Sequence, residues 1–528
     1  MNSNKIFLSL IFILSALGIY CSLIIGISWD EHFAHIHALA KIEFLKSLGA
    51  NKGYLKYEDF HNPGFFEVPL AFFSNLLPSH FIYEGRHILN LLLSFATLLG
   101  LFLVVRDNFD KKVALITVFL CLLNPFFFGL MSVTVRDMPT CFAYVWLIFF
   151  LSKYIKNFDK NNLKTILGIG LTLGLGLGAR LGFIANFIPI SIILTYFFLI
   201  NKSRLNFNKL FFKLLKDICI IILISLVVLF SFWFYAYENP IHVLIESFKQ
   251  TINLTKGPAT FILNGNIYNT IDTPRTYLLS FYFFRFPIFL IILNFIFIAL
   301  FFIKNNYFSS KYKSFNAKIF SNFLIIFVPV FIAIALKVTL YDDFRLFLFL
   351  IPFLSLFSAL SVNFLLENFN KNIINKAVVF LTFFTFLFFL KRFIKLTPYQ
   401  YDFSNYLKIS YKDTKNLYQH DFWATSYKEL VKKIKKNEEF QDKKFTISVC
   451  GGNLWQIAYE FNKDLNFRRN VSYFHKHVAH KADYIIMINR LGEYKNYENT
   501  KCFDIFKGED IDTVERIGVT YSVLRKIR

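Results

Sequence analysis

Two adjacent carboxylates, Asp30 and Glu31, follow the first apolar run of the chain in the stretch SWDEHFAHIHALA, residues 28–40. Lys and Arg orient membrane helices whereas acids contribute little, so topology does not explain the pair. On a helix, Glu31, His32 and His35 share one face through spacings of three and four residues. Two interpretations stay open from this stretch alone. One is proton-transfer chemistry at a membrane surface, and the other is a solvated helix cap in which Asp30 accepts backbone N–H bonds.

Further charged or titratable residues occur beside apolar runs. They are His61 in HNPGFFEVPL, Arg136 and Asp137 in VRDMP, Arg180 in GLTLGLGLGARLGF, and Arg345 in LYDDFR. Charged side chains at membrane depth are costly and usually face a cavity or a partner. The structural alternatives to a functional site are that the arginines extend to the membrane surface and that Asp137 caps the helix that follows it. Arginine forks bind phosphate, and a carboxylate can remove a proton from a hydroxyl. The combination therefore favours a site for an anionic substrate carried on a lipid, such as a sugar linked to a lipid phosphate.

The composition excludes a soluble enzyme. The chain has 528 residues, of which 55% are hydrophobic and 71 are phenylalanine. Uncharged runs long enough to cross a hydrocarbon core of about 30 Å recur along it, which is typical of a polytopic α-helical membrane protein. The net charge of +23 comes mainly from lysines in short loops and in the C-terminal tail. This pattern fits anionic membrane lipids better than nucleic acid, so no nucleic-acid partner is expected.

We expect about eleven transmembrane helices. Their apolar runs are Ile6–Ile27, Ile88–Val105, Val113–Leu130, Thr140–Leu151, Ile166–Leu181, Phe183–Ile200, Ile218–Tyr235, Leu278–Ile303, Ile319–Leu336, Leu346–Leu366 and Ala377–Ile394. A cytoplasmic N-terminus makes the lysine-dense loops between the runs cytoplasmic, as the positive-inside rule requires. An odd number of spans then places Asp30 and residues 397–528 on the extracytoplasmic side of the inner (plasma) membrane.

The composition changes after residue 396. Residues 1–396 are expected to form a transmembrane domain and residues 397–528 a small extracytoplasmic α/β domain. The pattern there predicts a helix and three buried strands: Tyr427–Lys436, Phe445–Cys450, Asp483–Ile488 and Val519–Leu524. Cys450 and Cys502 have the opportunity to pair if this domain is extracytoplasmic, but the sequence leaves that pairing open.

Two smaller patterns each have a structural and a functional interpretation. The glycine series 168, 170, 174, 176 and 178 favours close helix packing over a phosphate-binding loop. Four aromatic residues of the C-terminal part either stack on sugars or, as we favour, pack in its core. They are Tyr399, Tyr401, Trp423 and Trp455.

Taken together, these segments resemble the polyprenyl-phosphate-sugar glycosyltransferases of the GT-C superfamily, especially the protein O-mannosyltransferase and aminoarabinose transferase group. The resemblance rests on the external Asp-Glu pair, HNPGFFEVPL, Arg86 at the start of the second span, VRDMP, PRTYLL with Tyr277, LYDDFRLFLFLIP, TPYQYDFSNYL and HDFWATSYKEL. Two positions depart from the family pattern. His61-Asn62-Pro63 stands where the family often has His-Pro-Pro, and Leu346 stands where a second basic residue often follows Arg345.

The resemblance implies a GT-C transmembrane catalytic domain, with residues 28–87 as its first external catalytic loop. It implies an inverting transfer in which Asp30 is the general base, Glu31 orients the acceptor or tunes Asp30, and Asp137 is a supporting acid. The donor phosphate is assigned to Arg136, Arg180 and Arg345, and further substrate contacts to His61, Arg86 and Tyr277. No cofactor or metal is expected, although some superfamily members use a divalent cation.

The partners implied by the resemblance are a polyprenyl-phosphate sugar donor, membrane lipids, and an acceptor that is a protein, a lipid or a surface glycan. Two alternatives remain open at this stage. One is a transporter or flippase of a lipid-linked or anionic substrate, whose polar groups would lie near the bilayer midplane. The other is a polysaccharide ligase that uses a pyrophosphate-linked donor.

Overall fold

A computed structural model describes residues 3–57, 61–158, 162–201, 207–252, 260–405, 410–492 and 500–527. Its helices are α1 Ser3–Ile24, α2 Trp29–Lys46, α3 Glu67–Ser74, α4 Ile82–Asn108, α5 Lys111–Leu123, α6 Pro125–Leu130, α7 Asp137–Lys156, α8 Leu163–Ala179, α9 Phe187–Asn201, α10 Phe207–Phe230, α11 Pro240–Ile252, α12 Tyr277–Arg285, α13 Ile288–Ile303, α14 Asn305–Lys311, α15 Phe315–Ala335, α16 Ile351–Glu367, α17 Ile373–Lys395, α18 Tyr427–Lys436, α19 Leu454–Asn462, α20 Leu465–Asn470 and α21 Cys502–Ile505. Its strands are β1 Thr260–Leu263, β2 Asn266–Asn269, β3 Phe445–Cys450, β4 Val471–Tyr473, β5 Tyr484–Ile488, β6 Glu509–Arg516 and β7 Val519–Lys526.

The protein is a multi-pass membrane protein. Among the described residues, seven helical segments are long and apolar enough to cross a bilayer, and an eighth is obtained if α12 and α13, bent by 114°, count as one span. The expected number of about eleven transmembrane helices remains a prediction. Several of the predicted apolar runs form helices that are short or broken, so they do not count as spans by length alone. The run Val113–Leu130, for example, is divided at Asn124, whose side chain accepts hydrogen bonds from the first turn of α6. Parts of two predicted lysine-dense loops, between Leu151 and Ile166 and between Ile200 and Ile218, lie outside the described residues.

The glycines of α8 allow close contact with α10. A β-carbon on Gly170 would lie 2.8 Å from the Ile224 side chain, and one on Gly174 would lie 2.6 Å from Val228. The Ser225 hydroxyl donates to the Gly170 carbonyl at 3.0 Å across the same contact. The packing interpretation of the glycine series is confirmed, since small residues let membrane helices approach each other.

The segment between α1 and α4 contains two helices of its own. α2 begins directly after Ser28, and α3 follows a non-helical stretch around Pro63. The buried Lys41 of α2 donates to the Asn62 carbonyl at 3.2 Å, which fixes this stretch against the helix. The residues of HNPG that precede α3 are not helical, because proline disfavours helical geometry in the residue before it.

The C-terminal part contains a five-stranded sheet of order β4-β3-β5-β7-β6. β4, β3 and β5 are parallel, whereas β7 runs antiparallel to β5 and β6. The predicted helix and all three predicted strands are confirmed to within a few residues. The sequence missed β4, which has three residues, and β6, whose acidic sequence EDIDTVER lacks an apolar alternation. Cys450 and Cys502 form a disulfide between the end of β3 and α21.

This sheet region packs tightly on the membrane helices. The backbone at Gly129 of α6 approaches Tyr401 so closely that a β-carbon there would lie 2.1 Å from the Tyr401 nitrogen. Beyond the end of α1, the Gln456 amide donates to the Ile27 carbonyl at 2.7 Å, and Lys428 forms an ion pair of 2.8 Å with Glu84. Tyr399 and Tyr401 are buried here, so their core interpretation is confirmed. The C-terminal part is thereby held over the junction between α1 and α2.

Candidate active site

The start of α2 separates the two adjacent carboxylates. Glu31 is buried and accepts a hydrogen bond from the Ser28 backbone N–H at 2.7 Å, an arrangement that caps the helix. Its carboxylate also lies 3.1 Å from Nε2 of His87 on α4. Asp30 faces the other way, and its side chain is 50% exposed. Glu31 therefore anchors the helix, while Asp30 is left accessible.

Asp30 faces a cavity of about 870 Å³. The predicted site residues His61, Arg136, Arg180 and Arg345 line the same cavity. They come from the stretch before α3, the start of α7, the end of α8 and the segment before α16. Residues far apart in the sequence thus meet at one partly open cavity, which is large enough for a small ligand.

Arg345 is the central cation of this cavity. Its Nη1 lies 3.0 Å from Oδ2 of Asp30 and 3.7 Å from Oδ2 of Asp137, and its Nη2 lies 3.2 Å from Oδ2 of Asp342. The guanidinium also stacks on the Trp423 ring, 5.2 Å from its centroid. Because Arg345 itself is buried, these carboxylates and the ring fix its orientation.

Arg136 and Arg180 are each held by a buried carboxylate. Nε of Arg136 lies 2.6 Å from Glu67, and Nη2 of Arg180 lies 2.6 Å from Asp137. The side chains of Arg136 and Arg180 remain 30% and 28% exposed, respectively. Each arginine is thus anchored by a carboxylate, and part of its side chain remains accessible at the cavity that it lines.

The surrounding charges control the acidity of Asp30. Partial loss of hydration at the cavity raises the pKa of Asp30, but the guanidinium groups of Arg345, Arg136 and Arg180 outweigh this effect and hold that pKa below its usual value. Asp30 is therefore a carboxylate at neutral pH, as a proton acceptor must be.

The loop before Arg345 has an unusual backbone. Asp342 and Asp343 have φ angles of 52° and 65°, a left-handed region that residues other than glycine seldom adopt. Asp343 forms a 2.6 Å ion pair with the buried Arg285, which in turn donates to the Asp402 carbonyl at 2.8 Å. The strained loop is thus fixed by the C-terminal part, and such strain is common at functional sites.

Several predicted site residues lie away from the cavity wall. Arg86 is buried beside His35, to which its Nη1 donates at 3.2 Å. Tyr277 is buried with its ring against Phe261 and Phe281. Asp137 and Glu31 do not line the cavity either, but they position Arg180 and α2, respectively. Among the residues that the structure describes, no group of three or more His, Cys, Asp or Glu side chains comes together as a metal site.

The comparisons with known proteins agree with this architecture. A family model described as dolichyl-phosphate-mannose-protein mannosyltransferase matches residues 80–231. The crystal structure of ArnT from Cupriavidus metallidurans in the apo state aligns with a TM-score of 0.52 at 10% identity, over 98% of each chain. The chain has the GT-C fold. The resemblance inferred from the sequence is confirmed at this level.

Two further solved structures are similar to this GT-C chain. ArnT bound to undecaprenyl phosphate aligns with a TM-score of 0.49 at 10% identity, over 99% of this chain and 98% of that chain. An Archaeoglobus fulgidus oligosaccharyltransferase tethered with an acceptor peptide aligns with a TM-score of 0.45 at 13% identity, over 91% and 68%. No curated protein matches the chain by sequence.

The cavity of this GT-C fold also includes residues that the sequence did not assign to the site. Arg490, Asp342 and Trp29 line it, and so does Trp423, for which core packing was favoured. One signal for Arg490 was present, since it follows the predicted buried strand that ends at Ile488. Charged residues directly after buried parallel strands often lie at functional edges of sheets.

Proposed function

We propose that this protein is a glycosyltransferase that moves a hexose or pentose from a polyprenyl-phosphate-linked donor to an acceptor hydroxyl. The reaction takes place on the extracytoplasmic face of the inner membrane and inverts the configuration at C1. The acceptor is a protein, a lipid or a surface glycan. The observation that carries the proposal is the accessible Asp30 carboxylate facing a cavity that Arg136, Arg180 and Arg345 also line. The family-model match over residues 80–231 supports a donor on a lipid phosphate.

In the proposed reaction, Asp30 takes the proton of the acceptor hydroxyl. The hydroxyl oxygen forms the new bond to C1, and the bond between C1 and the phosphate oxygen breaks. The polyprenyl phosphate leaves with that electron pair, and Asp30 keeps the proton until solvent removes it. The exposed edges of Arg136 and Arg180 bind the phosphate oxygens and stabilise the charge that develops on them.

Donor binding also adjusts the base. Arg136 and Arg180, which lower the pKa of Asp30 together with Arg345, are the arginines proposed to bind the donor phosphate. A bound phosphate brings negative charge beside them and offsets their effect on Asp30, so the pKa of Asp30 rises towards its usual value. Asp30 is therefore a stronger base when the donor is present than in the empty site.

The proposed sidedness is supported by the disulfide between Cys450 and Cys502, because disulfides persist in oxidising compartments outside the cytosol. We assign residues 1–396 to the transmembrane catalytic domain and residues 397–528 to an extracytoplasmic domain. Both sets of residues contribute to the cavity wall, the first with Asp30 and the second with Trp423.

The decisive experiment compares a gene deletion with a strain rescued by Asp30→Asn. Polyprenyl-phosphate-linked sugars are profiled by mass spectrometry in both, and the membrane abundance of the variant is measured. We expect one lipid-linked sugar to accumulate in both strains while Asp30→Asn is present at normal abundance, because loss of a general base costs about 10²–10⁴-fold in rate.

The matched control is Glu43→Gln, which removes a carboxylate from the exposed face of the same helix. It should restore normal lipid profiles. If no lipid-linked sugar accumulates in the deletion strain, the proposal fails and transport becomes the better hypothesis. If Asp30→Asn restores transfer, the role of Asp30 is wrong even if the reaction is right.

A further inference from the structure

Arg490 is a cavity residue that comes from the C-terminal sheet. It follows β5 and lines the cavity together with Asp30. Its Nη1 donates to the Phe422 carbonyl at 2.8 Å, and its guanidinium lies over the Trp29 ring, 5.0 Å from the centroid. Trp29 directly precedes Asp30, so Arg490 is fixed against the residue before the proposed base.

The charge of Arg490 is less neutralised than that of the other cavity arginines. Arg136, Arg180 and Arg345 each have a carboxylate oxygen within 3.0 Å. The carboxylate that pairs with Arg490 is Asp342, at 3.9 Å, beyond hydrogen-bond distance. The other oxygen of Asp342 is already bound to Arg345 at 3.2 Å.

A buried cation without a close counter-charge is costly unless a ligand supplies one. The Arg490 side chain is only 7% exposed. Buried ions in proteins are normally paired, since the loss of hydration must be offset. The placement of Arg490 on a cavity wall is therefore explained if an anionic oxygen enters the cavity and binds it.

A second unsatisfied donor lies on the same wall. Trp423 lines the cavity, and its indole Nε1–H is buried without an acceptor among the described residues. Buried polar groups that lack a partner call for an explanation, and a ligand oxygen is one that fits a cavity wall. Trp423 and Arg490 both come from the C-terminal part, whereas Arg136 and Arg180 adjoin membrane helices.

We propose that Arg490 binds an anionic oxygen, a phosphate or a carboxylate, that the acceptor carries close to its reacting hydroxyl. The inference rests on the proposed function, because an inverting attack places the acceptor on the side of C1 opposite the leaving phosphate. With the donor phosphate at Arg136 and Arg180, the acceptor lies towards Asp30, and Arg490 is the cation that the C-terminal part contributes to the same cavity. The cavity thus takes two anions at once, one on the donor and one on the acceptor.

The test uses the full-length protein in nanodiscs saturated with undecaprenyl phosphate. Methyl phosphate and acetate are titrated separately at constant ionic strength by isothermal titration calorimetry. We expect the loaded wild-type protein to bind at least one of them, and which one binds identifies the acceptor group as phosphate or carboxylate. Arg490→Gln should weaken that binding about tenfold or more, since a charge-assisted hydrogen bond is lost. The affinity for undecaprenyl phosphate should change less than about twofold, which also reports that the variant is folded.

Two further variants make the test specific. Arg490→Lys keeps the charge and should retain part of the binding. Arg525→Gln is the matched control, because Arg525 also donates to backbone carbonyls and pairs with an aspartate, Asp510, but does not line the cavity. It should leave anion binding unchanged.

The inference is overturned if neither anion binds the loaded wild-type protein, or if Arg490→Gln binds as the wild type does. Failure of the proposed function has a different result, namely that undecaprenyl phosphate itself does not bind. In that case the binding of methyl phosphate and acetate by the wild type and by Arg490→Gln is compared in the unloaded protein. Weaker binding by Arg490→Gln supports the inference, and equal binding overturns it.

Discussion

Nη1 of Arg345 lies 3.0 Å from Oδ2 of Asp30, although the two residues are separated by 315 positions in the sequence. The exposed carboxylate at the start of α2 is therefore oriented by a cation that comes late in the sequence, directly before α16. This ion pair also contributes to the acidity of Asp30. A single contact thus sets both the direction of the proposed base and its protonation state.

Replacing Arg345 should move the acidic limb of the pH–activity profile. Asp30 must be deprotonated to act as a base, so activity falls as the pH drops through its pKa. In the wild type without donor that pKa is lowered, which puts the limb of kcat/KM, the parameter that reports the free enzyme, below the usual aspartate value of about 4. In Arg345→Gln the pKa of Asp30 rises and the limb moves to higher pH, while kcat also falls. Profiles of initial rate against pH measure this shift, and Arg345→Lys should show a smaller one. An unmoved limb in Arg345→Gln would mean that Asp30 is not the group that titrates.

Glu31→Gln should lower stability more than it lowers catalysis. The variant loses charge-assisted hydrogen bonds to the Ser28 N–H and to His87 in a buried position, a loss of about 1–3 kcal/mol. The melting temperature of the purified protein and the turnover per folded molecule measure the two effects separately. Glu43→Gln on the exposed face of α2 should change neither. If Glu31→Gln abolishes turnover without lowering the melting temperature, Glu31 has the catalytic role expected from the family resemblance.

Gly129→Ala should weaken the contact between the membrane helices and the C-terminal part. The new methyl group would lie 2.1 Å from the Tyr401 backbone nitrogen, so backbone must shift, with a cost of about 1–3 kcal/mol. Gly53→Ala is the control, because its nearest neighbour is a side-chain oxygen of Asn51 at 3.0 Å in an exposed segment. Melting temperatures and limited proteolysis near residue 400 compare the two variants. Equal stability would contradict the close packing at Gly129.

The double variant Cys450→Ser/Cys502→Ser should destabilise the C-terminal part by about 2–5 kcal/mol. Wild-type protein treated with a reductant should approach the variant in melting temperature and in its mobility on a non-reducing gel. Cys219→Ser, at an exposed free cysteine, should behave like the wild type. If protein isolated under alkylating conditions carries two free thiols at positions 450 and 502, the disulfide is absent in the cell and the proposed extracytoplasmic side loses its support.

The membrane character, the helical runs and the strands of the C-terminal part could be predicted because their signals are local. The length of an apolar run identifies a membrane span. The apolar composition of Phe445–Cys450 likewise indicates that this strand is buried. The break at Asn124 is local too, but a continuous apolar run hides it. β6 was missed because an acidic edge strand has no apolar alternation of its own.

The candidate site was predicted only in part, because its contacts join distant residues. Asp30 and Arg345 were assigned from residue type and resemblance, and the structure brings them together. Glu31 and Asp30 are neighbours that share the same chemistry, and the capping bond from the Ser28 N–H together with His87 of α4 holds Glu31 as the buried carboxylate. Arg490 lies at the cavity because of the way the chain folds into the C-terminal sheet. No sequence motif near Asp30 indicates this position.

The cavity wall that carries Trp423 and Arg490 comes after the membrane helices in the sequence. The ribosome therefore makes the helices before this wall, and a chain that has reached only α17 carries Arg136, Arg180 and Arg345 around a cavity that lacks one side. Completion of the cavity waits for folding of the C-terminal part, which the Cys450–Cys502 disulfide cross-links. The helices thus have to persist with an incomplete cavity until that part has folded.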